Sequence, residues 1–147
     1  IVLSRERAAE GFYPAIDLLN SNSKMLSAEV VGKRHFHIAN AVREALAEYD
    51  ELKDIIAMLG MEELTLHDRQ TVSRTRRLER FLTQPFFSTE QFTGYPGVQV
   101  DINDTLEGCE RILNGDFDSL PEKDFYMKGG IGALDVRTPG QARAAIS

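Results

Sequence analysis

The sequence predicts a mainly helical fold built around a long αα-hairpin. Apolar side chains recur every three or four residues from Ser27 to Gly60, which is the spacing of one helix face. A second helical pattern begins at Thr65, and only the short segment Met61-Glu62-Glu63-Leu64 separates the two. So short a connection makes the helices fold back on each other, with an acidic tip between them.

Residues 1–26 are expected to contain little helix. Ile1-Val2-Leu3 is typical of a short buried strand, and Gly11 and Pro14 mark a turn after it. The polar run Asn20-Ser21-Asn22-Ser23 is typical of a loop. Because a buried strand needs a partner and none is visible, we expect the 147 residues to be a piece of a longer polypeptide.

One long helix is predicted over residues 27–60. Ser27 is a suitable N-cap with Glu29 in the first turn, and Gly60 stands where a helix-ending glycine is expected. A helix of about 32 residues is about 48 Å long, so we expect it to project outward or to break once near its middle. Its predicted inner face consists of Val31, His35, Ile38, Val42, Ala45, Tyr49, Leu52, Ile56 and Leu59.

The second helix of the hairpin is predicted from Thr65 through Leu82. Thr65 and Asp68 form a pattern close to a capping box, and Pro85 ends the helix. The apolar stripe of this helix is thin and consists of Val72, Thr75, Leu78 and Leu82.

Shorter elements are predicted after the hairpin. A short helix follows Ser88, and a longer one runs from Asn103 to Asn114 and is closed by Gly115. A last short helix is expected near Pro121 to Met127, and residues 98–102 are compatible with a minor strand.

Composition and charge exclude several classes of protein. The chain has 42% hydrophobic and 27% charged residues, and its single cysteine, Cys109, excludes a disulfide framework. A net charge of -6 leaves no global positive field for nucleic acid or an anionic membrane. The longest apolar run, Ile55 to Met61, is too short to cross a bilayer. We therefore expect neither nucleic-acid binding nor direct membrane insertion.

Motifs for phosphate binding, metal binding and nucleophilic catalysis are missing from the sequence. Neither glycine-rich phosphate-binding pattern occurs, and Gly129-Gly130-Ile131-Gly132 is too short to replace one. His35 and His37 lie two residues apart on a predicted helix, so they point in different directions and cannot chelate together. Cys109 lies on an apolar helical stripe and is expected to be a small core residue. No metal site is predicted.

Two clusters of side chains have both a functional and a structural interpretation. Arginines concentrate on the second hairpin helix, where they form either a surface for phosphate or an acidic partner or a solvated face paired with carboxylates of the neighbouring helix. We favour the solvated face because the arginines spread round the helix and no aromatic residues are interleaved with them. Aromatic residues concentrate in loop-like sequence, where they form either a small hydrophobic cluster or a flat slot for a planar ligand such as a purine. The pattern alone favours the hydrophobic cluster. The arginines are Arg69, Arg74, Arg76, Arg77 and Arg80, and the aromatic residues are Tyr13, Phe86, Phe87, Phe92 and Tyr95.

Several motifs together carry a resemblance to a known family. Phe12-Tyr13-Pro14-Ala15-Ile16-Asp17 lies near the start, and the hairpin contains Leu52-Lys53-Asp54-Ile55-Ile56-Ala57-Met58-Leu59-Gly60 and Arg80-Phe81-Leu82-Thr83-Gln84-Pro85-Phe86. Phe92-Thr93-Gly94 and Phe125-Tyr126-Met127 follow. In one register to about Ile131, the chain resembles the C-terminal part of the catalytic β subunit of rotary F-type ATP synthases.

The resemblance implies how the chain is divided into domains. Residues 1–26 would be the last strand and adenine-side loop of an α/β nucleotide-binding domain, and residues 27–147 would be the helical C-terminal domain. The phosphate loop, magnesium-binding carboxylate and catalytic glutamate of the family have no counterpart in this chain. Binding of ATP or ADP with Mg²⁺ is therefore implied for the intact subunit, and the chain alone is expected to be inactive.

The resemblance also implies nucleotide-binding residues. Tyr13 matches the family tyrosine that stacks on adenine, and Phe86 and Phe92 match the two phenylalanines that complete that pocket. The resemblance thus favours the ligand slot over the hydrophobic cluster. Lys24 and Phe36 match an arginine and a tyrosine that reach the non-catalytic nucleotide on the adjacent α subunit. Lys24 lacks the fork geometry of arginine, and Phe36 lacks the hydroxyl of tyrosine.

The hairpin tip, residues 62–68, matches the acidic motif that contacts the central γ subunit in the family. It has three carboxylates, fewer than the family motif, so we expect weaker electrostatic coupling to a basic rotor surface. The tail from Gly132 to Ser147 also departs from the usual ending of the family. The reduced acidic tip and this tail together resemble a divergent, sodium-linked bacterial branch of the family. The implied rotor contacts are Glu62, Glu63, Leu64, Thr65, Leu66, His67 and Asp68.

The function implied by the resemblance is ATP synthesis or hydrolysis coupled to ion transport through rotation. The implied partners are the α subunits and the γ subunit, at the cytoplasmic face of a bacterial membrane, or in the matrix or stroma of an organelle. The residues leave open an autonomous helical module that docks a basic protein through the hairpin tip and binds no nucleotide. A nucleic-acid binder using the arginine-rich helix is a more distant alternative.

Overall fold

The computed structural model describes residues 1–135, and helices account for most of them. No strand is formed in that range, and the predicted mainly helical class is confirmed. Three single 3₁₀ turns cover Met61–Glu63, Phe87–Thr89 and Glu122–Phe125. The α-helices are α1 (Arg5–Ala9), α2 (Ala28–Val31), α3 (Lys33–Leu59), α4 (Leu66–Phe81), α5 (Glu90–Thr93), α6 (Ile102–Asn114) and α7 (Gly132–Asp135).

Helices α3 and α4 form the predicted antiparallel hairpin. Midway along it, the Thr75 hydroxyl donates to the backbone oxygen of Ala45 at 3.3 Å. Gly60 ends α3 with φ 87°, a left-handed conformation that glycine adopts without strain. Thr65 caps α4, because its hydroxyl oxygen accepts the backbone N–H of Asp68 at 3.2 Å. Both predicted hairpin caps are therefore confirmed.

The helix predicted over residues 27–60 is interrupted at Gly32. The backbone there has φ 85° and ψ 156°, which breaks the helical hydrogen-bond ladder between α2 and α3. The interruption lies near the start of the predicted helix and not near its middle, so α3 keeps 27 residues and is about 40 Å long. Ser27 stands at the N-cap of α2, but its side chain makes no capping bond.

The predicted strand at the start of the chain is not formed. Leu3 makes one isolated antiparallel bridge with Ile16, and the Ser4 N–H donates to the oxygen of Ala15 at 2.9 Å. Ile1 and Leu3 are exposed, so the expectation of a buried strand is wrong for residues 1–135. The reason is that no further strand lies beside this segment to cover its apolar side chains. The minor strand over residues 98–102 is likewise not formed.

The main hydrophobic core lies where α3, α4 and α6 meet. Phe81 of α4 is fully buried and packs directly against Gly108 of α6, where a Cβ would lie 2.2 Å from the Phe81 Cζ atom. A smaller cluster nearer the hairpin tip contains Tyr49, Leu64 and Val72. The buried residues of the main core include Ile38, Val42, Leu46, Leu78, Phe81, Leu106, Cys109, Ile112, Phe117 and Phe125.

The predicted inner faces of the hairpin helices are largely confirmed. Val72, Thr75 and Leu78 of α4 are fully buried, as the stripe predicts. On α3 the predicted inner face is wrong at its end, because Leu59 is exposed. Leu46 is buried, although it does not belong to the predicted face.

The elements after the hairpin follow the prediction with small shifts. Helix α6 begins one residue early at Ile102, because the carboxylate of Asp101 caps it by accepting the N–H of Asn103. Gly115 ends it with φ 88°. The short helix expected after Ser88 is the 3₁₀ turn Phe87–Thr89 followed by α5, and the last predicted helix is the 3₁₀ turn Glu122–Phe125.

Arginine side chains attach two irregular segments to the hairpin through backbone oxygens. Arg43 of α3 donates to the oxygens of Leu19 and Ser21 at 3.1 and 3.0 Å. Arg77 of α4 is buried and donates to the oxygens of Asp118 and Leu120, each at 2.9 Å. These bonds satisfy carbonyl groups that have no secondary structure to pair with.

Two sequence-based expectations concern the ends and the membrane. The tail from Gly132 to Ser147 is expected to depart from the usual ending of the family. From residue 136 onward this tail lies outside the described residues. Across residues 1–135, every helix is too short or too polar to cross a bilayer.

Candidate functional site

Phe86 and Phe92 lie on one closed loop, residues 85–98, which we call the aromatic loop. Its ends meet where the Val98 N–H donates to the oxygen of Pro85 at 2.8 Å. A second brace joins its middle to its end, because the carboxylate of Glu90 accepts the Gly97 N–H at 2.6 Å. The aromatic loop is therefore a compact loop whose two ends are joined by a hydrogen bond. Loops of this kind, which are supported by a rigid scaffold, often contain functional residues.

The aromatic loop presents its rings to solvent. Phe92 is 72% exposed and Phe86 is 51% exposed. Phe87 and Tyr95 are also exposed, although the Phe87 ring covers Gly97 so closely that a Cβ would lie 2.3 Å from its Cδ1 atom. Several large exposed rings in one place mark a surface that contacts a ligand or another protein. Phe86 and Phe92 are thus not buried in a cluster beneath the loop.

Tyr13 lies in the turn after α1, half-buried and joined to Pro14 by a cis peptide bond. The hydroxyl of Tyr126 is a close electrostatic neighbour. Burial raises the pKa of Tyr126, and the nearby hydroxyls of Tyr95 and Tyr13 raise it further.

Tyr126 also fixes the turn that carries Tyr13. Its hydroxyl donates to the backbone oxygen of Gly11 at 2.6 Å. Its ring lies 6.5 Å from that of Phe12 and 6.1 Å from that of Tyr95, measured between ring centroids. The sequence pattern gives no sign of this role, because Tyr126 stands 115 positions from Gly11; the only signal is its place in the motif Phe125-Tyr126-Met127.

Lys24 and Phe36 lie toward the beginning of α3, at the end remote from the hairpin tip. Lys24 is exposed in the irregular segment before α2, and Phe36 is half-buried in the first turn of α3. A mostly apolar cavity of about 420 Å³ is lined by Met25, Leu26 and His35, but by neither Lys24 nor Phe36. His35 is half-buried and His37 exposed, as the helical spacing predicts.

The hairpin tip has one buried residue and six that reach its surface. Leu64 is 6% exposed and packs with Tyr49 and Val72, so its side chain points into the hairpin. Arg69 holds the tip in shape by donating to the backbone oxygens of Leu64, at 3.0 Å, and Glu62. The residues with exposed or half-exposed side chains are Glu62, Glu63, Thr65, Leu66, His67 and Asp68.

Apolar side chains are exposed beside the acidic ones at the tip. Leu66 is 79% exposed, and Met58 and Leu59 at the end of α3 are also exposed. The helical pattern places Leu59 on the inner face, so this surface was not predicted. The tip therefore offers both carboxylates and apolar surface to a partner.

Three of the five arginines of α4, Arg74, Arg76 and Arg80, contact carboxylates as predicted, whereas Arg69 and the buried Arg77 donate to backbone oxygens. Arg74 binds Asp118 at 2.6 Å and holds the pKa of that carboxyl below its usual range through this hydrogen bond. Arg80 contacts Glu122 at 3.0 Å. The carboxylate partners come from residues 115–122 and not from the neighbouring hairpin helix.

Metal-ligating side chains do not gather within residues 1–135, where no three His, Cys, Asp or Glu residues stand close enough to hold an ion. Cys109 is buried in the core, and burial raises the pKa of its thiol to about 12. The prediction that Cys109 is a core residue is confirmed.

A comparison with known protein families identifies the family of the chain. The model of the family described as the C-terminal domain of V and A type ATP synthase matches residues 24–114. The chain belongs to this family. The match covers α2, the whole hairpin, the aromatic loop and α6.

Similar curated proteins carry one common name. The chain is 58% identical over 145 residues to ATP synthase subunit beta 1 of Marinomonas sp. (strain MWYL1), covering 99% of the chain and 29% of that protein. It is 62% identical over 135 residues to ATP synthase subunit beta of Acaryochloris marina (strain MBIC 11017), covering 92% and 29%. With ATP synthase subunit beta 2 of Albidiferax ferrireducens (strain ATCC BAA-621 / DSM 15236 / T118), the identity is 60% over 147 residues, covering 100% and 28%. The chain thus spans less than a third of each relative.

Proposed function

We propose that the chain is the C-terminal part of the catalytic β subunit of a rotary ATP synthase. In the intact complex, that subunit makes or hydrolyses ATP, coupled to ion transport through rotation of the central γ subunit. The observation that carries the proposal is the identity of about 60% to proteins named ATP synthase subunit beta, which extends over nearly the whole chain. An autonomous interaction module that docks through the hairpin tip does not account for this identity.

Within this function, Tyr13, Phe86 and Phe92 form the wall of the adenine pocket. Phe86 and Phe92 are exposed, so their faces are free to stack on a purine. Stacking positions the base by dispersion and by removal of water, and it moves no proton or phosphoryl group. These side chains therefore determine nucleotide affinity and leave the chemical step to other residues.

The phosphates and Mg²⁺ are bound by parts of the intact subunit outside these 147 residues. The chain has no glycine-rich phosphate-binding motif, and residues 1–135 hold no cluster that could bind a metal ion. Mg²⁺ bound to the nucleotide neutralises charge that develops during phosphoryl transfer. The chain alone is consequently inactive.

The second role of the chain is that of a lever. We assign residues 1–26 to the end of the nucleotide-binding domain and residues 27–147 to the helical domain that bears on γ. The exposed side chains of residues 62–68 contact γ, while Leu64 supports them from inside the hairpin. A rigid hairpin about 40 Å long links nucleotide occupancy at one end to rotor angle at the other.

The remaining contacts of the intact subunit follow from the same assignment. Lys24 and Phe36 face the adjacent α subunit near its non-catalytic nucleotide. The complex works at the cytoplasmic face of a bacterial membrane, or in the matrix or stroma if it is organellar, and the chain itself touches no lipid.

The test replaces Phe92 by alanine in the full-length subunit within the assembled complex. Stacking on one base is worth about 1–3 kcal/mol, so the dissociation constant of ADP should rise about 5- to 150-fold while the maximal turnover changes little. Phe87→Ala is the matched control, because it removes an exposed ring of the same loop that does not belong to the proposed pocket. Unchanged ADP affinity in Phe92→Ala, or an equal loss in Phe87→Ala, would refute the adenine wall.

A further inference from the structure

A buried ion pair joins the first segment of the chain to the hairpin. The Arg7 Nη1 atom of α1 lies 2.6 Å from the Glu79 Oε1 atom of α4, across 72 positions of sequence. The two side chains are only 14% and 10% exposed. At this distance the contact is a charge-assisted hydrogen bond, and because the two side chains are mostly buried it is screened less than a surface pair.

Arg7 also holds the turn that carries Tyr13. Its guanidinium carbon lies 4.5 Å from the centroid of the Phe12 ring, within the range of a cation–π contact. Its backbone oxygen accepts the Phe12 N–H at 2.9 Å. Phe12 directly precedes Tyr13, so Arg7 fixes both the backbone and the ring of the neighbouring residue.

Tyr126 holds the same turn from the other side, through its bond to the Gly11 oxygen and its contact with the Phe12 ring. The turn therefore has two separate attachments. Tyr126 belongs to the segment after α6, whereas Arg7 is bonded to α4 of the hairpin. Of these two, the attachment through Arg7 leads directly to a hairpin helix.

The Arg7–Glu79 pair contributes more to the relative position of α1 and α4 than to the free energy of unfolding. Removing two charges from water offsets most of the attraction between them, so a buried pair adds little net free energy relative to apolar side chains of the same shape. Its hydrogen-bond geometry, in contrast, fixes where α4 stands relative to α1. A displacement of Glu79 with the hairpin is passed to Arg7 and through it to Phe12.

We propose that Arg7 is a positioning residue that couples helix α4 to the adenine-stacking ring of Tyr13, through its ion pair with Glu79 and its contact with Phe12. The inference rests on the proposed function, since it takes Tyr13 to stack on adenine. It adds a defined route by which hairpin position alters nucleotide affinity. The Tyr13 ring is then placed by the hairpin as well as by its own turn.

The experiment uses the full-length subunit in the assembled complex with Arg7→Met, Glu79→Gln and the double variant. We measure the affinity of the catalytic site for ADP and for tripolyphosphate, which has no base. Each single change should weaken ADP binding at least about fivefold, the lower end of usual coupling between sites. Tripolyphosphate affinity should be unchanged. The double variant should bind ADP no more weakly than either single one, because both break the same link.

Two control variants separate positioning from general stability. Arg34→Met breaks an ion pair of similar length, 2.7 Å, between Arg34 and Glu110, which lies exposed between α3 and α6. This variant should leave ADP affinity unchanged. Arg7→Lys keeps the charge opposite Glu79 and should recover part of the ADP affinity.

The outcomes distinguish this inference from the proposed function. If Tyr13→Ala weakens ADP binding and Arg7→Met does not, the coupling is refuted and the adenine wall stands. Equal loss of ADP and tripolyphosphate affinity in Arg7→Met would also refute the coupling, since it indicates a general distortion of the site. If Tyr13→Ala leaves ADP affinity unchanged, the assignment of Tyr13 to the adenine wall is overturned, and the coupling with it.

Discussion

Replacing Gly108 by alanine sets helix propensity against packing. Gly108 lies inside α6, where alanine is favoured over glycine by about 1 kcal/mol. The added Cβ would lie 2.2 and 2.5 Å from the Cζ and Cε1 atoms of Phe81, whose ring is buried in the core with 1% exposure. The propensity term and the packing term therefore have opposite signs.

The packing term is the larger of the two. Forcing an extra methyl group into a filled core costs about 1–3 kcal/mol, and contacts this short belong to the upper part of that range. After subtraction of the helix gain, Gly108→Ala should lower the free energy of unfolding by about 1–2 kcal/mol. Urea unfolding of the chain, followed by far-ultraviolet circular dichroism, measures the difference.

A second substitution tests whether the Phe81 ring is the cause. In a Phe81→Leu background the side chain is smaller, so the cost of Gly108→Ala should fall to near zero or reverse sign. A stabilising Gly108→Ala, or an equal cost in both backgrounds, would contradict the packing argument.

Two further predictions concern a helix cap and a buried thiol. Thr65→Ala should destabilise the first turn of α4 by about 1 kcal/mol, seen as faster hydrogen exchange of the Asp68 amide, and Thr65→Ser should restore the protection. Burial raises the pKa of Cys109 from 9.0 to about 12, so the unfolded chain loses this proton first and the free energy of unfolding should fall as pH rises above 9. Unfolding of Cys109→Ala at several pH values should lack this part of the slope; an identical slope in both proteins would show that Cys109 does not contribute.

Local signals in the sequence predicted the hairpin well. Thr65 with Asp68, and Gly60 at the end of α3, act through atoms within a few residues, so their pattern is visible in the sequence. The break at Gly32 was not located, because Val31 and His35 keep the helical spacing across it. Periodicity describes which face is apolar and cannot detect a change in φ at one glycine.

Contacts between distant residues could not be predicted in this way. The strand predicted at Leu3 needs a neighbouring strand to pair with. Among residues 1–135, Leu3 forms a β-bridge only with Ile16. The bond from Tyr126 to Gly11 and the ion pair of Arg7 with Glu79 likewise depend on how separate segments meet. The resemblance identified candidate binding residues, and only the fold indicates which side chains hold them in position.

The arginines bound to backbone oxygens affect how freely the sequence can vary. Every residue supplies the same carbonyl group, so the side chain at Leu120 can change during evolution while Arg77 keeps its partners, whereas Asp118 is also held through its carboxylate by Arg74. The arginine itself cannot change so freely, because one guanidinium spans both oxygens and a lysine ammonium would not. Among related sequences, Arg43 and Arg77 should therefore persist more than the residues that offer them only a backbone oxygen.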